Sequence, residues 1–100
     1  MVKHVILWKL KEEYSGEAAA AVKAGIKEGL EGLKGQIPGL LDIKVYTEPL
    51  ASSNCDVMLD SSFADEASLS GYTVHPAHVE VATTKVRPFT ASRTCMDYEV

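Results

Sequence analysis

The chain predicts an α+β fold of ferredoxin-like type, a four-stranded antiparallel sheet with helices on one face. Apolar periodicity passes from two to about 3.6 and back, in the order strand, helix, strand, strand, helix pair, strand. Breakers mark the boundaries, with Pro38-Gly39, Pro49, Pro76 and Pro88 each between two periodic segments. The length of 100 residues suits one domain, taken as 1–100, and no internal repeat or low-complexity tract divides it.

Residues 2–10, Val-Lys-His-Val-Ile-Leu-Trp-Lys-Leu, carry apolar side chains at both parities and predict a strand buried on both sides. His4 alternates with Ile6 and Trp8, which places it on the helix-covered face. A turn over 12–16 leads to a helix over 16–36, with Ser15 as N-cap and Glu17 near the positive end of the helix dipole. Val22, Ile26, Leu30, Leu33 and Ile37 form its apolar stripe, opposite Lys23, Lys27, Glu28, Glu31 and Lys34. Ala18, Ala21, Gly25, Gly29 and Gly32 run along the stripe's edge, so a neighbouring element is expected to pack closely there.

A half-exposed second strand follows over 40–47, with Leu41, Ile43 and Val45 alternating against Asp42, Lys44 and Tyr46. The third strand spans 55–63, with Val57, Leu59 and Phe63 on its inner parity. Asp65-Glu66 opens a short helix bearing Leu69 and Tyr72. His75 then precedes or caps a further helix with Pro76 in its first turn. Val79, Ala82 and Val86 give that helix an apolar side until Arg87-Pro88 stops it, and 89–98 closes the chain as a strand.

With 14 Asp+Glu against 10 Lys+Arg, the net charge of -4 argues against nucleic acid and anionic lipid as partners. The apolar run Val5-Ile6-Leu7-Trp8 is too short for a membrane span or a signal peptide's core, so a cytoplasmic location is expected. Cys55 and Cys95 have no CxxC spacing and read as reduced thiols. Helices of this size cover one sheet face only. The apolar parity left over predicts a homodimer with sheets stacked face to face through Val5, Leu7, Met58, Met96 and Tyr98.

Four segments, Val2 to Lys11, Ile37-Pro38-Gly39, Tyr72-Thr73-Val74-His75-Pro76-Ala77-His78 and Met96-Asp97-Tyr98, together resemble the stress-responsive A/B barrel (Dabb) family over essentially the whole chain. The resemblance implies a ferredoxin-like subunit of a dimeric α/β barrel. The family includes stress-associated proteins and a plant polyketide cyclase similar to olivetolic acid cyclase, which closes a ring by aldol condensation without an organic cofactor. That likeness implies catalytic roles for Tyr72 and His78 and a pocket role for His4. Two positions depart from it: Val57 stands where the cyclase has a pocket histidine, and the Ala/Gly-rich segment of the long helix replaces bulky aromatics. A cofactor-independent monooxygenase on a similar barrel is a further reading by fold-level analogy.

Chemically, a near-neutral imidazole can take a proton α to a carbonyl, and a phenol can steady the enolate. His78 is therefore the expected base and Tyr72 the expected donor. The walls expected around a small apolar or phenolic ligand are His4, Ile6, Trp8, Ile43, Val57, Leu59, Leu69 and Val79. The alternative is a non-catalytic oligomer in which Tyr72 and His78 are internal fasteners. His75-x-x-His78 is not read as a metal pair, because Pro76 makes His75 a helix-entry residue, and no metal or cofactor is expected.

Overall fold

The computed structural model describes residues 1–100. Its elements are β1 (Val2–Leu10), α1 (Gly16–Glu31), β2 (Leu40–Tyr46), β3 (Val57–Phe63), α2 (Glu66–Val74), α3 (Pro76–Val81) and β4 (Thr90–Glu99). The strands form one antiparallel sheet in the order β2-β3-β1-β4. This is the ferredoxin-like arrangement expected from the order of periodicities.

β1 alternates buried and half-buried residues, and Val2, His4, Ile6, Trp8 and Leu10 all face the helices. The core between sheet and helices holds Ile26, Leu30, Val45, Val57, Leu59 and Phe63, all nearly inaccessible to solvent. Lys27 and Glu31 of α1 reach the backbone of Val45 at 2.9 Å each, Lys27 donating to its carbonyl and Glu31 accepting from its N–H. They occupy backbone groups that the edge strand β2 would otherwise leave open.

Several boundaries move. α1 ends at Glu31, not 36, because Gly32 caps it and residues 33–36 continue as tight turns that use Gly35 at φ +86°. Leu33 and Ile37 are still buried, from the turn instead of the helix. Ser15 holds the N-cap position, yet its side chain makes no capping bond. β3 begins at Val57, two residues later than expected, and Cys55 lies outside it. Leu41 is half exposed and Leu40 buried in its place, since a register irregularity between Leu40 and Asp42 reverses the alternation there.

The close approach expected beside the small-residue band occurs at Gly29, where a Cβ would stand 2.9 Å from Val81 Cγ1 of α3. Asp65 caps α2 by accepting from Ser68 N at 2.8 Å. His75 caps α3 by accepting from Ala77 N through Nδ1 at 3.1 Å. α3 does not run on as an α-helix. It widens into a π turn over 82–86 and then a 3-10 turn over 87–89. Val79 consequently faces solvent at 39% exposure while Ala82 and Val86 turn inward, which corrects its expected place in the pocket wall.

The face of the sheet away from the helices presents Val5, Leu7 and Met58, half buried, with Met96 and Tyr98 of β4 exposed. Val5 lies opposite Met96, and Leu7 opposite Met58, so these side chains share one surface.

Candidate functional site

A cavity of about 370 Å³ lies between the β1–β4 half of the sheet and the α2–α3 corner. Its floor is the inner parity of β1, where His4, Ile6 and Trp8 follow at two-residue spacing. Tyr72 enters from the last turn of α2. His78 enters from α3, positioned by the His75 cap and Pro76. Leu30, Leu59, Ala82 and Val86 add apolar wall, while Thr73, Arg87, Thr90 and Arg93 stand toward the rim.

Six of the expected residues, His4, Ile6, Trp8, Leu59, Tyr72 and His78, line this cavity together. Ile43, Val57 and Leu69 do not; they are buried in the core nearby. Arg87 and Arg93 are absent from the sequence-based expectation because an arginine at a helix end or on an edge strand reads as a solvated charge. Pairing of Arg93 with Trp8 across β1 and β4 is the feature that brings it to this face.

Three aromatic rings run through the site. The Tyr72 and His78 ring centroids are 4.1 Å apart, and His4 stands 5.9 Å from Tyr72 on the other side. Phe63 closes the far end at 5.0 Å from Tyr72. Two polar atoms in this run, Tyr72 Oη and His78 Nδ1, are buried without a hydrogen-bond partner. Buried polar atoms are rarely left so, and each costs about 1–3 kcal/mol. An internal fastening between Tyr72 and His78 is not formed.

Burial raises the Tyr72 pKa well above the usual phenol value, with the nearby Arg93 charge opposing, so the hydroxyl stays protonated. Burial lowers the His78 pKa, the Thr73 backbone opposes, and the positive charges of Arg87, His4 and Arg93 add to the lowering. His78 is thus neutral near pH 7. His4 Nδ1 is hydrogen-bonded to Asp97 of β4, directly across the ladder.

His4, Cys95 and Asp97 bring a nitrogen, a sulfur and an oxygen donor within 4.8 Å of one another, a donor set that fits a zinc-like cation better than Mg²⁺. The spacing argument over His75 and His78 could not reveal this cluster, because it is assembled across two strands. In this structure Asp97 already engages His4, and burial and the Asp97 carboxylate raise the Cys95 pKa, keeping it a thiol. A longer groove of about 930 Å³ follows the Ala-rich flank of α1 beside β2; it is open to solvent and holds none of the unpaired buried atoms.

The sequence pattern of the stress responsive A/B barrel domain matches residues 2–100. No curated protein matches the chain. Among solved structures, a dimeric protein of unknown function with a ferredoxin-like fold from Bacteroides fragilis superposes with a TM-score of 0.91 at 29% identity, covering 99% of this chain and 95% of that one. A Dabb family protein from Mesorhizobium loti gives 0.75 at 18% identity, covering 99% and 95%. Hydroxynitrile lyase from Passiflora edulis gives 0.72 at 17% identity, covering 97% and 90%, a likeness of fold. With the family pattern extending from the second residue to the last, the chain belongs to the stress responsive A/B barrel (Dabb) domain family.

Proposed function

We propose that this protein binds a small, largely apolar or phenolic molecule in the cavity between sheet and helices and performs cofactor-free proton transfer on it, of cyclase or lyase type. The observation that carries the reading is the pair of unpartnered buried atoms, Tyr72 Oη and His78 Nδ1, on neighbouring rings that both line the cavity. A bound ligand with a hydroxyl group, which accepts from the Tyr72 hydroxyl and donates to His78 Nδ1, would satisfy both.

The pKa directions suit those roles. A neutral His78 accepts a proton from a carbon next to a carbonyl, and a protonated Tyr72 donates a hydrogen bond to the enolate oxygen that results. The enolate then attacks a second carbonyl or expels a leaving group, and His78 returns the proton. His4, held by Asp97, places a second imidazole beside the phenol. The Passiflora edulis neighbour, a hydroxynitrile lyase by name, is a lyase on the same fold.

In the same reading the protein acts as a homodimer, its open sheet faces stacked through Val5, Leu7, Met58, Met96 and Tyr98. The Bacteroides fragilis neighbour is described as dimeric. Deuterium incorporation α to the carbonyls of small β-diketones in D₂O, followed by NMR, tests the proton transfer. The expected result is exchange faster than that of free imidazole, lost by about 10²-fold or more in His78→Gln and Tyr72→Phe. Exchange no faster than with imidazole would refute it.

A further inference from the structure

Both of the chain's two arginines, Arg87 and Arg93, stand at this one cavity, while none of its eight lysines does. Among the thirteen lining residues there is no Asp or Glu, in a chain whose formal net charge is -4. The cavity is therefore a cationic spot on an acidic protein. Resting on the pocket reading above, the geometry points to a carboxylate ligand: a small acid whose anionic group is held by Arg87 and Arg93 at the rim while a ring-sized apolar body lies against Trp8, Ile6 and Leu59.

Only some of the chain's other cations are paired: three of the eight lysines have a carboxylate partner and five do not. Lys3, Lys27 and Lys34 each pair with a carboxylate, Asp60, Glu31 and Asp42 respectively, at 2.7–3.1 Å. Neither arginine has such a partner. Asp97, on the same inner parity of β4 as Arg93, is engaged by His4, and Cys95 between them is uncharged. Arginine rather than lysine is the informative choice, since its planar fork matches the two oxygens of a carboxylate and is less strongly hydrated.

The charges also reach the inner groups. Arg93 opposes the rise in the Tyr72 pKa, and both arginines disfavour a proton on His78. A bound anion offsets the part of the His78 lowering that the two arginines add to burial. The volume of about 370 Å³ lies in the range of small-molecule sites and accommodates one ring with a short side chain.

Trp8 is the chain's single tryptophan, is buried, and lines the cavity, so its fluorescence reports occupancy directly. The experiment titrates the 100-residue protein with 3-phenylpropanoate and with its neutral isostere 3-phenylpropanamide, at low and high salt, in wild type and in Arg87→Gln/Arg93→Gln. The expected result is an acid preference of about tenfold or more at low salt, weakened by salt and lost in the double variant. Equal binding of acid and amide in wild type would overturn the charge assignment and leave the cavity as a neutral-ligand site. A Trp8 signal unmoved by either compound at millimolar concentration would overturn the cavity reading and this inference with it. If the double variant loses amide binding too, the single variants decide: an acid preference retained in both contradicts the proposal.

Discussion

The two halves of the helix-covered sheet face are built to different ends. Over β2 and β3, α1 and α2 close the surface completely, and Ile26, Val45, Phe63 and Ser61 are all at most 1% exposed. Ser61 Oγ even donates to the His4 carbonyl at 2.8 Å, so the polar group there is satisfied. Over β1 and β4, α3 ends after six residues, a π turn follows, and every residue of β4 after Thr90 is exposed. There the polar atoms Tyr72 Oη and His78 Nδ1 are left unpaired. The first half is a filled core and the second a cavity. The difference separates residues whose loss should unfold the protein from those whose loss should silence it.

The largest effect belongs to the filled half. Phe63→Ala removes a ring that is 0% exposed and packed edge-on against Tyr72 and His4, and it is expected to lower unfolding free energy by about 3–5 kcal/mol in urea titration. A loss below about 1 kcal/mol would erase the contrast.

Next comes the turn that sets the filled half in place. Gly39, at φ +81°, would put a Cβ 2.0 Å from Ser68 Oγ, so Gly39→Ala strains the backbone and pushes on α2. Thermal unfolding should show a loss of about 1–3 kcal/mol.

A smaller effect probes the cavity half through pH. The folded state lowers the His78 pKa, so the unfolded chain takes up this proton first as pH falls. His78 therefore favours folding fully above about pH 6.5, and this contribution is lost as pH drops below that value. Urea midpoints measured from pH 7.5 to pH 5 should fall more steeply in wild type than in His78→Gln. Parallel curves would place His78 in a solvated setting. Ligand binding follows the opposite logic, since an occupant that meets Tyr72 and His78 raises stability in wild type and does so less in the variant.

Much of the fold was legible because periodicity and breakers agreed. The both-sided apolar pattern of β1, the Val22–Leu30 part of the helical stripe and the Pro76 entry to α3 each follow from local chemistry that the tertiary structure keeps. The errors have local causes of another kind. Gly32 and Gly35 unwound the end of α1, a bulge reversed Leu40 and Leu41, and the π turn rotated Val79 outward; helical or strand phase carries no sign of any of the three. The site was half legible. Parity placed His4 beside Ile6 and Trp8, and the family resemblance singled out Tyr72 and His78. Asp97, Cys95 and Arg93 could be found only through the β1–β4 register, a contact between residues some ninety positions apart.

The smallest expected effect is the most telling. Tyr72→Phe removes a hydroxyl that has no partner inside the protein while keeping the ring against Phe63 and His78. Equilibrium urea unfolding of this variant against wild type, both without ligand at pH 7, tests the central claim that the hydroxyl is held for a ligand and not for the fold. Stability is expected to be unchanged or slightly raised, because an unsatisfied buried group is deleted. A loss of about 1 kcal/mol or more would mean that the hydroxyl fastens the structure, and the cavity half would then be core like the other.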